Sequence, residues 1–106
     1  MRIDEAVLNE IVRRIVNAGK PERIILFGSA AKGEVARDSD IDLLVIAAAP
    51  GDVRRESVRY RQALRGLGFP FDVIVISQER FEETKDIVGS IAFPASKYGK
   101  VIYEAA

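Results

Sequence analysis

Apolar residues recur at three- and four-residue spacing near the start of the chain. Val7, Leu8, Ile11, Val12, Ile15 and Val16 form one stripe. The stripe predicts a helix over Asp4–Ala18, with Asp4 placed to cap its start and Gly19 followed by Pro21 to stop it. Ile24–Phe27 is then wholly apolar after a polar turn, which reads as a buried strand. Gly28–Gly33 reads as a loop or the first turn of a short helix, and Ile41–Ala47 as a second buried strand. Pro50-Gly51 makes a turn, and Asp52 can cap a helix running to about Leu67. On that helix Val53, Tyr60, Ala63, Leu64 and Leu67 fall roughly on one side. Gly68-Phe69-Pro70 interrupts the chain before a third strand, Phe71–Ile76. Ser77 can cap a helix from about Gln78 to Val88, and Tyr98–Tyr103 is a short extended piece or a last turn. Helices and strands mix without a strict βαβ rhythm. The expected fold class is therefore α+β (mixed α/β), a small mixed β-sheet with helices packed on it.

The 106 residues are expected to form a single domain, 1–106. Sixteen basic and sixteen acidic residues cancel. The chain lacks the electrostatic footprint of a general nucleic-acid binder, so direct nucleic-acid binding is not expected. It has neither Cys nor His. That excludes a Ser-His-Asp triad, a Cys nucleophile and His- or Cys-ligated zinc. Catalysis would have to use carboxylates, Lys, Ser, Tyr, backbone groups or a hard oxygen-bound metal such as Mg²⁺. The absence of Cys fits a cytoplasmic protein. No long apolar run follows the charges of Met1–Glu5, so no signal peptide is expected. The apolar run Leu43–Pro50 is too short to span a bilayer.

One stretch concentrates the chemistry: FGSAAKGEVARDSDIDLLVI, Phe27 to Ile46. Alternate strand residues face the same way, so Asp40 and Asp42 are expected on one face, with Cα atoms roughly 6.6 Å apart. Two carboxylates converging at about 4 Å repel by roughly 4 kcal/mol at an effective dielectric of 20. A divalent cation reverses that sign, and Mg²⁺ takes one or two carboxylates together with phosphates and water. The same residues also fit a plain turn, in which Asp and Ser side chains bond the backbone before a strand begins. Two features weigh against the turn. Gly28-Ser29 follows a buried strand, where the backbone can approach a phosphate and the Ser29 hydroxyl can donate to it. Asp72 is the single charge of the third strand. If that strand lies beside the Asp40/Asp42 strand, three carboxylates converge.

Together these features resemble the DNA polymerase β-type nucleotidyltransferase superfamily, and the short length resembles its minimal nucleotidyltransferase (MNT) branch. The resemblance runs over most of the chain, through IILFGSAAKGE, SDIDLLVI, FDVIVIS and YGKVIYEA. It implies the polymerase β-like nucleotidyltransferase fold, with Gly28, Ser29 and Lys32 holding the triphosphate of ATP. It implies Mg²⁺, as two ions, on Asp40, Asp42 and Asp72, with Asp72 also helping to deprotonate the attacking hydroxyl. The implied reaction transfers a nucleoside monophosphate to a hydroxyl and releases pyrophosphate. Two metals can clamp the attacking and leaving oxygens without any His. The sequence departs from the family pattern at Ala30, where many minimal members have Arg. It departs again at Lys32, which keeps the charge of the usual Arg but loses its bidentate fork.

Minimal members commonly occur with a helical HEPN-domain protein as a toxin–antitoxin pair. The resemblance implies an antitoxin that adds AMP to a toxin Tyr and a possible hetero-oligomer with that partner. The alternative is a non-catalytic module that neutralises a HEPN partner by covering it. Retention of Asp40, Asp42 and Asp72 favours the enzyme, since a pure binder has no need of all three. Outside this constellation, Arg54, Arg55, Arg59, Arg61 and Arg65 crowd one helix. They read either as a solvated surface or as a face for an acidic partner or RNA. Tyr98 and Tyr103 read as packing residues, while Lys97 and Lys100 could reach a phosphate.

Overall fold

A four-stranded sheet in the order β3-β2-β1-β4 organises the molecule. The computed structural model describes residues 3–32 and 40–106, apart from the side chains of Ser29 and Lys32. The strands are β1 (Arg23–Phe27), β2 (Ile41–Ala47), β3 (Phe71–Ser77) and β4 (Lys100–Glu104). β1 runs antiparallel to β2 and to β4, while β2 and β3 are parallel, so the sheet is mixed as expected. A parallel pair needs a crossover, and α2 (Val53–Ala63) supplies it.

Each face of the sheet is covered differently. Ile24, Leu26, Ile41, Leu43, Val45, Val73 and Val75 share a core with α1 (Glu5–Gly19) and α2. Ile25, Phe27, Leu44, Ile46 and Ile76 share the opposite core with α3 (Gln78–Thr84) and α4 (Ala92–Tyr98) through Phe81, Ala92 and Ala95. Because both faces are buried, the central strands read as continuous apolar runs rather than alternating ones.

The helix ends show why some boundaries differ from expectation. Asp4 caps α1 as predicted, its carboxylate accepting the Val7 N–H at 2.9 Å. The stop comes one residue later, at Lys20, which takes the left-handed conformation (φ 50°). Gly19 is instead the last helical residue, and its missing side chain makes room for the buried Tyr60 ring. α2 ends at Ala63 rather than near Leu67. There Arg14 Nη1 donates to the carbonyls of Ala63 (3.2 Å) and Arg65 (2.8 Å), and Gly66 turns the chain at φ 90°. Tyr60 and Leu64 form the buried side of α2 as predicted, but Val53 is 43% exposed.

α3 stops at Thr84, short of Val88, and a separate helix, α4, follows. Ser90 joins them, its hydroxyl donating to the Thr84 carbonyl at 2.7 Å and accepting the Phe93 N–H at 3.1 Å. Pro94 is tolerated in α4 because it falls in the first turn, where a backbone N–H has no intrahelical partner. The segment Tyr98–Tyr103 resolves into the end of α4 and strand β4. Tyr103 packs against the core, but Tyr98 is 68% exposed and is not a packing residue. Among the described residues no helix is long and apolar enough to cross a membrane.

Candidate active site

The parallel pairing of β2 and β3 decides where the acids go. Its register runs from Ile41 opposite Phe71, through Asp42 opposite Asp72, to Ala47 opposite Ser77. Paired residues on neighbouring strands point to the same face. Asp42 and Asp72 therefore share one face at one end of the sheet. On the next strand Phe27 pairs with Asp42, and Gly28 follows it directly. That face is closed further along by Leu44, Ile46, Ile74 and Ile76 beneath α3 and α4. The charges stand where the apolar cover ends.

Neighbouring strands lie about 4.8 Å apart, and two carboxylates about 5 Å apart repel by about 3 kcal/mol at an effective dielectric of 20, less where water screens them. Asp42 is half-buried, while Asp40 and Asp72 are exposed. Burial pushes the Asp42 carboxyl above its ordinary value, and the charges of Asp72 and then Asp40 push it the same way. Both neighbouring acids thus bear on the Asp42 carboxyl. Asp40 does so from just outside the sheet, because β2 begins at Ile41. β2 starts where the apolar run was read to start, so Asp42 lies within the strand and Asp40 immediately before it. Among the described residues no three acids close around a single metal position.

Gly28 begins a 3-10 turn, Gly28–Lys32, with φ 71°. A Cβ at Gly28 would stand 2.5 Å from Asp42 Oδ2. Glycine therefore does two things here. It permits the left-handed backbone, and it keeps the space over the Asp42 carboxylate open. That open space and a donor set made only of hard oxygens fit Mg²⁺, which prefers such ligands. The fit rests on Asp42 and Asp72, with Asp40 beside them. Of the other expected site residues, Ser29 and Lys32 lie in the 3-10 turn by backbone, and their side chains fall outside the described residues. So do residues 33–39, including Gly33, Asp38 and Ser39. Sequence reading passed over Phe27, which is 9% exposed and pairs with Asp42 to floor the site. Its signal was its place as the last apolar residue before the glycine.

A mixed sheet with acids at one end of two parallel strands, and a glycine turn opening beside them, defines a class of phosphoryl-handling enzyme. Residues 7–98 match the family model described as nucleotidyltransferase domain, and the chain belongs to that family of nucleotidyltransferases. A Methanocaldococcus jannaschii protein that carries the provisional name protein adenylyltransferase is 33% identical over 104 residues, spanning 94% of this chain and 98% of its own length. Among solved structures, the toxin–antitoxin MntA-HpeT bearing two Asp-to-Glu exchanges matches with a TM-score of 0.67 at 22% identity, over 92% of this chain and 73% of that one. A toxin–antitoxin structure with AMP-PNP matches with a TM-score of 0.60 at 24% identity, over the same shares of 92% and 73%. At these identities the likeness to both is one of fold.

Proposed function

We propose that this protein transfers AMP from ATP to a Tyr hydroxyl of a HEPN-type toxin partner, in the cytoplasm, and so acts as an antitoxin of the minimal nucleotidyltransferase branch. The observation that carries this reading is the register pairing of Asp42 with Asp72 beside the open turn at Gly28. The name of the Methanocaldococcus relative supports protein adenylylation, and the toxin–antitoxin neighbours, one of them with AMP-PNP, support the partner and the nucleotide.

In this reading Asp40, Asp42 and Asp72 hold Mg²⁺, as two ions. When bound, the metal neutralises phosphate charge and so favours in-line displacement at phosphorus. Gly28 lets the backbone come close to the triphosphate, Ser29 donates a hydrogen bond to it, and Lys32 offsets its charge. Phe27 keeps water from the floor beneath Asp42. Asp72, the more exposed of the paired acids, faces the acceptor and accepts its proton. The acceptor oxygen then bonds to the α-phosphorus, the bond from that phosphorus to the bridging oxygen breaks, and pyrophosphate leaves with the electron pair. Lys32 in place of Arg gives a point charge rather than a bidentate fork on the phosphates.

Intact-mass spectrometry of the partner after incubation with this protein, Mg²⁺ and ATP tests the reading. The expected result is a mass increase by whole AMP units, lost when the modified Tyr is changed to Phe. Full neutralisation of the partner without a mass change would reject transfer in favour of neutralisation by covering.

A further inference from the structure

The acids occupy the α3/α4 face of the sheet, and an unassigned concentration of charge lies on the opposite side. From Asp52 to Leu67 the chain holds Arg54, Arg55, Arg59, Arg61 and Arg65 against Asp52 and Glu56, with no lysine. All five arginines are exposed. Arg54, Arg55, Val58, Arg61 and Gln62 follow the spacing of a single stripe along α2, and Arg65, in the turn just past its end, lines one hollow with Val58, Arg61 and Gln62. The stripe faces away from Tyr60 and Leu64, each 1% exposed, which turn into the core. Among the described residues the ion pairs are Glu10 with Arg13 and Arg14, Arg23 with Glu104, and Lys85 with Glu82, so no stripe arginine is in one. The stripe also has an apolar centre. Val58 is 39% exposed and lines a shallow hollow of about 300 Å³ with Arg61, Gln62 and Arg65.

We propose that this outer stripe of α2 docks an acidic face of the protein partner, an inference that rests on the partnered reading above. Charge complementarity identifies the occupant, and its chemistry favours protein over RNA. Arginine without lysine around an apolar centre is the composition of a protein interface, where Arg is enriched and Lys depleted. Guanidinium forks match carboxylates in a bidentate way. Val58 offers apolar contact that a phosphate backbone cannot use. The stripe holds no aromatic residue on which an unpaired base could stack. The chain's zero formal net charge supplies no long-range pull on a polyanion.

Docking at α2 separates anchoring from chemistry. α2 and the Asp42–Asp72 pair lie on opposite faces of the sheet, so a partner held at the stripe leaves the nucleotide site open. A partner segment tethered in this way meets the acids at a raised effective concentration.

The test compares the binding of the toxin partner to the unaltered protein, to Arg61→Glu/Arg65→Glu and to Arg61→Gln/Arg65→Gln, at low and high salt. Melting curves and ATP binding report whether each variant is folded with its nucleotide site intact. The expected result is about a 100-fold weaker complex on charge reversal, a smaller loss on neutralisation, and a flatter salt dependence in both. ATP binding should not change. Partner binding unaffected by charge reversal overturns the docking inference and leaves the partnered reading standing. No binding of the partner to the unaltered protein overturns both. Charge reversal that abolishes binding of an oligo(U) probe, or self-association, while partner binding persists, overturns the inference by giving the stripe to RNA or to a second copy.

Discussion

Asp42 and Asp72 stand opposite one another across the parallel ladder of β2 and β3. One sheet face therefore carries two like charges at the point where its apolar cover ends. Burial and the two neighbouring acids hold the Asp42 carboxyl above its ordinary value.

That shift has a stability consequence with a definite sign. A carboxylate whose folded pKa is raised binds protons more readily when folded than when unfolded. Stability then falls as pH rises from the ordinary carboxylate value through the raised value of Asp42, and the cost remains at neutral pH. In metal-free buffer Asp42→Asn should raise the melting midpoint at pH 7 by about 2–5 °C. Its advantage over the unaltered protein should shrink as pH is lowered toward 4. Calorimetric melts at a series of pH values check this.

Gly28→Ala should fail twice. The left-handed backbone and the approach to Asp42 Oδ2 should destabilise the fold by about 1–2 kcal/mol in denaturant titrations. Nucleotide affinity measured on the remaining folded protein should also drop by at least about tenfold, or about 1.4 kcal/mol. The positive φ adds the folding term.

Tyr60 carries a hydroxyl that is buried with no hydrogen-bond partner among the described residues, and Glu56 Oε2 is in the same condition. Burial first, and then the charge of Glu56, push the Tyr60 hydroxyl pKa up. Tyr60→Phe removes an unsatisfied group while keeping the ring, so it should be neutral or stabilising by about 1 kcal/mol. Gly19→Ala should do the opposite, because the added methyl meets the Tyr60 ring. Thermal melts of the two variants separate these effects.

Asp72→Asn should slow AMP transfer to the partner far more than it weakens the complex with it. The change neutralises a carboxylate on the sheet face opposite α2. Single-turnover transfer rates beside a pull-down distinguish the two effects. Transfer at the unaltered rate would remove Asp72 from the chemistry.

The strands and their buried character were legible because β1, β2 and β3 are apolar runs whose charges, Arg23, Asp42 and Asp72, fall within the first two positions. The caps at Asp4, Asp52 and Ser77 were legible because each precedes a helix that its own side chain closes. The acids could be read as a set, but their pairing could not. Asp42 meets Asp72 only because α2 carries the chain into a parallel strand in that register, a tertiary fact with no local signal. α4 was hidden for a local reason, since Ala92–Tyr98 is short, contains Pro94 and follows Gly89-Ser90. Gly19 resembled a helix stop and proved to be a seat for a ring 41 residues away in sequence. Tyr98 looked like a core aromatic by composition, but it sits at the end of α4, past the residues that pack on the sheet.

Calorimetric titration with a non-hydrolysable ATP analogue is expected to reveal a metal-dependent nucleotide site at Asp42 and Asp72. The measurement is made with and without Mg²⁺, on the unaltered protein and on Asp42→Asn. The prediction is tight binding only when metal and nucleotide are both present, weakened at least about tenfold by Asp42→Asn despite that variant's greater metal-free stability. Equal affinity of the two proteins for the analogue, or affinity indifferent to Mg²⁺, would contradict it.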